Sequence, residues 1–236
     1  MAFWLVWLPL LTLLGGAAQA GPWPRAEGTH FLSLSAERDR DGNDYLGIYG
    51  EYGLSPRTTL GYEIGHSNAG ESSLILWMQR PLDDGDGVFR LTWQGGIGVV
   101  RRDGDLSPVA LSGLSLGRGF EGLLGGGWIS AEARVKVAGV TDPVAVSAGL
   151  DDGALAYLTP ETEVKADLTL GLRPRGDLMW INQLRLERRQ GQDAEAKLAT
   201  SLVHDLGGPV KIEAGVVLPL SGGGEQAVKL GSWLEF

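Results

Sequence analysis

The sequence predicts an all-β fold, a closed antiparallel up-and-down transmembrane β-barrel of about twelve strands. Three observations carry that prediction. Beyond Thr29, apolar and polar side chains alternate with a period of two in one segment after another, so each segment turns one face to an apolar medium and one to a polar medium. The segments run to about ten residues, the length a tilted strand needs to cross a hydrocarbon layer, whereas strands of soluble sheets average about five or six. Connectors are mostly tight after even segments and polar, often acidic, after odd ones, which is the rhythm of up-and-down order.

Residues 1–20, MAFWLVWLPLLTLLGGAAQA, are uncharged and end in Ala18-Gln19-Ala20, the small-x-small pattern after which a signal peptidase cuts. Their apolar part, Phe3 to Leu14, is short for a spanning helix, which needs about 20 residues. No Lys or Arg stands near Met1, a departure from the usual start of such a leader. The expected organisation is a cleaved signal peptide at 1–20 and a single barrel domain at 21–236, exported and beginning at Gly21. The chain has no Cys, so no disulfide framework supports the exported domain, and its stability must come from backbone hydrogen bonding and buried area.

The predicted segments are 29–37, 45–54, 58–66, 72–82, 87–101, 109–117, 128–139, 162–173, 177–188, 194–206, 210–220 and 225–236. Two are unambiguous. In 162–173, Val164, Ala166, Leu168, Leu170 and Leu172 share one face against Lys165, Asp167, Thr169 and Gly171. In 128–139, Ile129, Ala131, Ala133, Val135 and Val137 oppose Ser130, Glu132, Arg134 and Lys136. The weakest is 109–117, where Val109 and Leu111 lie on one parity and Leu114 and Leu116 on the other. Residues 140–161 form the one long connector, carrying Asp142, Asp151, Asp152 and Glu161 without a base.

An even strand number returns both ends of the domain to one side. Closure follows from the medium, because lipid offers an exposed sheet edge no hydrogen-bond partner. The alternation also explains a mean hydropathy of zero, since the two faces cancel. Glycine is abundant, 37 of 236 residues, roughly twice the usual share of about 7%; within strands it relaxes the backbone for a small barrel's curvature. A net charge of −9 disfavours nucleic-acid partners, whose phosphates need clustered cations.

The chain ends Val228-Lys229-Leu230-Gly231-Ser232-Trp233-Leu234-Glu235-Phe236, with Val228, Leu230, Leu234 and Phe236 on one face. This resembles the terminal strand of bacterial outer-membrane β-barrel proteins. The resemblance implies a Gram-negative outer-membrane location, lipid around the barrel, and recognition of Phe236 by the barrel-insertion machinery. Tyr52, Phe89, Trp180 and Phe236 fall on the apolar parity near the tight-turn ends of their segments, as an interfacial aromatic girdle would. Arg80 and Asn182 fall on the same parity, where mid-membrane placement is costly; a bulge or an interfacial depth must accommodate them.

The polar parity collects Glu51, Glu63, Arg90, Glu132, Arg134, Lys136, Lys165, Asp167, Arg185, Glu187, Lys197, Lys211, Glu213, Lys229 and Glu235. These lumen-lining candidates nearly balance in sign, which favours either cross-barrel ion pairs that narrow the pore or a solvated interior, over a ring of one sign. The function expected is a small or partly occluded passive pore, or a structural barrel, for polar solutes, without enzymatic turnover. The alternative is a lipid acyl hydrolase centred on His66. Gly65-His66-Ser67-Asn68 resembles the His-x-Ser-Asn block of outer-membrane phospholipases and lipid A deacylases, in which His activates Ser. Here Ser67 is the immediate neighbour and leaves the opposite face of a strand, while Asn68 has the right parity and is no nucleophile. The scattered His30, His66 and His204 show no metal spacing. Asp39, Asp41, Asn43 and Asp44 lack the bidentate Glu of a calcium loop. No cofactor is implied.

Overall fold

A computed structural model describes residues 21–102, 104–141 and 158–236. The leader at 1–20 and most of the 140–161 connector lie outside the described residues. The strands are β1 (His30–Asp39), β2 (Asp44–Ser55), β3 (Thr58–Ser67), β4 (Glu71–Pro81), β5 (Arg90–Arg102) and β6 (Asp105–Phe120) in the first half. The second half holds β7 (Gly127–Thr141), β8 (Leu158–Arg175), β9 (Leu178–Arg189), β10 (Glu195–Asp205), β11 (Val210–Ser221) and β12 (Ala227–Glu235). Each pairs antiparallel with its sequence neighbours, and β1 pairs with β12 to close the barrel. Among the described residues no sheet edge is left open.

The alternation read from sequence sets the two surfaces. Leu60, Ile64, Leu74, Leu76, Ile97, Leu114, Leu116, Ile129, Leu168, Leu202, Val216 and Leu230 face outward and are exposed, an apolar belt far larger than a water-facing surface carries. The ambiguous segment resolves without a bulge. β6 holds one continuous register against β5 and β7, so Leu114 and Leu116 face out while Val109 and Leu111 face in. The inner pair joins Ile75, Trp77, Val100 and Ala138 in a buried cluster, and an apolar lumen patch is what obscured the period.

Several boundaries differ from the sequence reading. β7 and β8 run on into the expected long connector, pairing Gly139 with Pro160 and Thr141 with Leu158, because continued ladder bonding satisfies backbone groups that a loop would leave to water. β6 likewise extends over 105–120 instead of 109–117, and the 82–89 turn is longer than expected because β5 begins at Arg90. Arg80 is exposed on the outer face near the tight-turn end, with unshifted pairing on both sides of β4, so depth and not a bulge accommodates it. Asn182 also faces out, its Oδ1 accepting from Thr200 Oγ1, which in turn accepts from Trp180 Nε1; the three polar groups satisfy one another on the apolar wall.

Inside, two glycines make room for aromatic rings. A Cβ on Gly61 would lie 2.1 Å from the Trp77 ring, and one on Gly171 would lie 2.3 Å from the Trp128 ring. Curvature was the role expected of strand glycines; at these two positions the requirement is volume.

Candidate pore lumen

The lumen is obstructed at three levels. At the tight-turn end, residues 21–28 fold back into the mouth of their own barrel. The Gly21 carbonyl accepts a hydrogen bond from Gln79 Nε2 at 2.9 Å, and the Arg25 backbone N–H donates to Thr59 Oγ1 at 2.8 Å. The Arg25 guanidinium meets Glu51 and lies 4.9 Å from the centre of the Phe31 ring. Pro22 is fully buried, and Trp23 packs on the cluster of Phe31, Trp128, Met179, Val203 and Trp233. The barrel wall is shaped for this segment: a Cβ on Gly53 would lie 2.0 Å from the Ala26 carbonyl oxygen, and one on Gly117 would lie 2.5 Å from Pro22.

Above the segment is a cavity of about 350 Å³. Phe31, Tyr49, Trp77, Trp128 and Trp233 contribute aromatic wall, and Glu63, Glu132, Arg134, Asp167, Arg185, Glu213 and Lys229 contribute charge. Ion pairs cross this space as chords. Arg134 of β7 reaches Glu63 of β3 at 2.6 Å while its Nε lies 2.7 Å from Glu132, and Arg185 of β9 reaches Glu37 of β1 at 3.1 Å. Lys229 pairs with Glu213, whose other oxygen accepts from Trp233 Nε1. Tyr49 donates to Glu51 at 2.6 Å. Trp77 Nε1 is buried in the wall without a hydrogen-bond partner among the described residues.

At the opposite end a second network spans the mouth. Arg102 of β5 meets Glu71 at 2.6 Å and Glu161 of β8 at 2.8 Å; Arg189 of β9 meets Glu163 at 3.0 Å, Glu161 at 3.5 Å and Glu71 of β4 at 3.6 Å. Lys165 bridges Glu163 and Glu187, with Lys136 4.0 Å from Glu163. Sequence reasoning missed Glu71, Arg102, Glu161 and Arg189, because each sits at a strand end that had been assigned to a connector. The usable signal was parity, which places all four on the lumen side once the strands are extended.

The remaining candidates lie at the rims. Arg90 closes the 82–89 turn through Gly87 and Asp83. Lys197 pairs with Glu195, and Lys211 with Glu235, which also lies 3.9 Å from Arg25. Phe236 exchanges two backbone hydrogen bonds with His30 and stacks on its ring, and His30 in turn lies against Tyr52. The acyl-hydrolase residues are not brought together. His66 Nδ1 lies 2.9 Å from Ser72 Oγ on the outer face; Ser67 Oγ accepts from the Ala69 N–H; Asn68 accepts from the Asp44 N–H and donates to the Gly42 carbonyl. The described residues give that alternative no support.

No family model and no curated protein matches this sequence. Solved structures do. The NanC porin superposes with a TM-score of 0.60 at 10% identity, over 86% of this chain and 98% of that one. The KdgM porin superposes with a TM-score of 0.54 at 10% identity, over 87% of this chain and 99% of that one. This chain has the fold of an outer-membrane porin. At such identity the likeness is one of architecture, and the side chains in the lumen are this chain's own.

Proposed function

We propose that this protein is a partly occluded passive pore of the bacterial outer membrane, passing only small polar solutes. The observation that supports it is the set of chords across the lumen, above all Arg134–Glu63 and Arg102–Glu161, which join strands that are not neighbours. Each chord fills cross-section with paired charge, so the open path is narrow. The apolar belt supplies the lipid-facing surface, and Phe236, exposed on the outer wall beside the β1–β12 seam, is the group we assign to recognition by the insertion machinery.

In planar bilayers the folded barrel is expected to give small, weakly ion-selective conductance, and in liposomes to admit small polar solutes while excluding oligomeric ones. Absence of conductance and flux, both in the full exported chain and after removal of residues 21–28, would overturn the pore reading in favour of a structural barrel.

A further inference from the structure

The outer wall of the barrel is not smooth. On β7, outward Ala131 stands in a cross-strand row with Leu116 of β6, Leu168 of β8, Leu184 of β9 and Leu198 of β10, so a methyl group faces the membrane where its neighbours carry isobutyl groups. The next row toward the middle of the wall repeats the step, with Ala133 beside Ala166 between Leu114 and Leu186. The result is a groove of about 400 Å³ between Leu116, Ala131 and Leu168, bounded toward the turns by Ile129 and Phe89. If a methylene takes about the 30 Å³ that a water has in the liquid, a dozen or so carbons of an extended chain fit there.

Arg118 stands at the turn-side end of this groove. It faces outward, is exposed, and its guanidinium lies 5.7 Å from the centre of the Phe89 ring. Unlike Arg90, Arg102, Arg134, Arg185 and Arg189, it makes no ion pair among the described residues. Its row continues through Ile129 and Leu170 to Asn182 and Thr200, polar groups that mark the depth at which hydrocarbon gives way to headgroups. On the turn side lies a second cavity of about 700 Å³, bordered by Trp23, Glu121, Trp128, Arg173 and again Arg118. One cation thus joins an apolar groove to a polar chamber, with its stem along the wall and its charge toward water. Tail, anionic junction and headgroup of an amphiphile follow in the same order.

We propose that this groove binds one phospholipid of the leaflet at the tight-turn end, an acyl chain lying along Ala131 and the phosphate paired with Arg118. A guanidinium and a phosphate form a charge-assisted, two-pronged hydrogen-bonded pair, and the edge of the hydrocarbon layer strengthens it relative to water. A second copy of this chain would cover the same apolar surface without supplying the anion. Among the described residues the outward strand positions hold a single carboxylate, Asp44. It lies at the opposite rim, where a copy inserted in the same direction cannot bring it to Arg118. The site does not depend on whether the lumen conducts.

Native mass spectrometry of the full exported chain, released from micelles titrated with phosphatidylglycerol, tests the site. A first lipid adduct that saturates at one per barrel is expected, and diacylglycerol, which lacks the phosphate, should bind about tenfold more weakly. Arg118→Gln removes the charge and Ala131→Leu fills the groove; each is expected to weaken the first adduct about tenfold. Arg80→Gln and Ala214→Leu make the same two changes at other exposed positions of the outer wall and are expected to leave it unchanged. Heat-modifiable gel migration checks that each variant barrel has folded. Equal binding of the two lipids, an adduct series that does not saturate, a first adduct indifferent to both groove variants, or equal losses in the two control variants would each mean ordinary lipid contact and overturn the site. The chain has no Cys, so Ala131→Cys carries the sole thiol. A disulfide-linked dimer formed by that variant on mild oxidation in the membrane would assign the groove to a second copy, and would likewise overturn the proposal.

Discussion

Asp83 shows how one partly buried side chain sets the shape of a connector. Its Oδ1 accepts from the Gly85 N–H at 2.8 Å and its Oδ2 from the Leu91 N–H at 2.6 Å, with Arg90 3.5 Å away. These contacts, the Leu91 N–H foremost, hold the carboxyl below the usual aspartate range. A carboxylate with a depressed folded pKa contributes stability that is complete above its unfolded value, near 3.9, and is lost as pH falls through the lower folded value. The 82–89 turn is therefore expected to hold at neutral pH and to loosen below about pH 4. Asp83→Ala should produce the same loosening at pH 7, raising Leu91 amide exchange by about fivefold, the equivalent of one hydrogen bond worth about 1 kcal/mol. Exchange at Leu91 that is insensitive to both changes would remove the role. From sequence this connector was readable as a turn, since Asp83, Asp84, Gly85 and Asp86 are turn formers. Its length was not, because Val88 and Phe89 look like strand residues and lie outside β5.

At the scale of elements, strand number and facing were legible because each depends on a local quantity, the parity of side chains along a segment. The 21–28 plug was not legible. It has no periodicity, and what seats it are long-range contacts, Arg25 with Glu51, Gly21 with Gln79 and Ala26 against Gly53, none of which leaves a mark in the local pattern. The interior aromatics were hidden for a related reason: Trp77 and Trp128 are admitted by glycines on adjacent strands, a pairing visible only in register. Gly53 offers a direct handle on the plug. Its φ lies outside the left-handed region, so Gly53→Val demands no left-handed backbone of a side chain, yet any Cβ there collides with the Ala26 carbonyl. The variant is expected to migrate as a folded barrel, to exchange amides faster over 22–28, and to conduct more than the parent. An unchanged exchange pattern would mean that the segment rests elsewhere. Displacing the segment also strips Arg25 from Glu51, whose side chain is 4% exposed. Burying that carboxylate unpaired would cost about 3–5 kcal/mol, so water must enter the mouth as the plug leaves, and an unseated plug means a wet tight-turn end.

For the whole molecule, closure is what the composition demanded: with no disulfide available and an apolar medium outside, all backbone pairing must be internal, and β1 pairing with β12 completes it. The lumen then behaves as obstructions in series. The plug stands at one end, the Arg134–Glu63 chord at the middle, and the Arg102–Glu71–Glu161–Arg189 network at the other mouth. Resistances in series add, so removing one obstruction leaves the current limited by the rest. Deletion of 21–28 alone, or the pair Glu63→Ala and Arg134→Ala alone, should therefore raise single-channel conductance modestly. The combination should raise it by more than the sum of the two increments, because it removes both leading resistances from one path. The cycle is informative because the two changes remove different obstructions from one path, so a departure from additivity reports how they are arranged. Increments that merely add would indicate two parallel routes through the barrel, and no increment from either change would place the limiting constriction in the outer network, where Arg102→Ala is the next variant to measure.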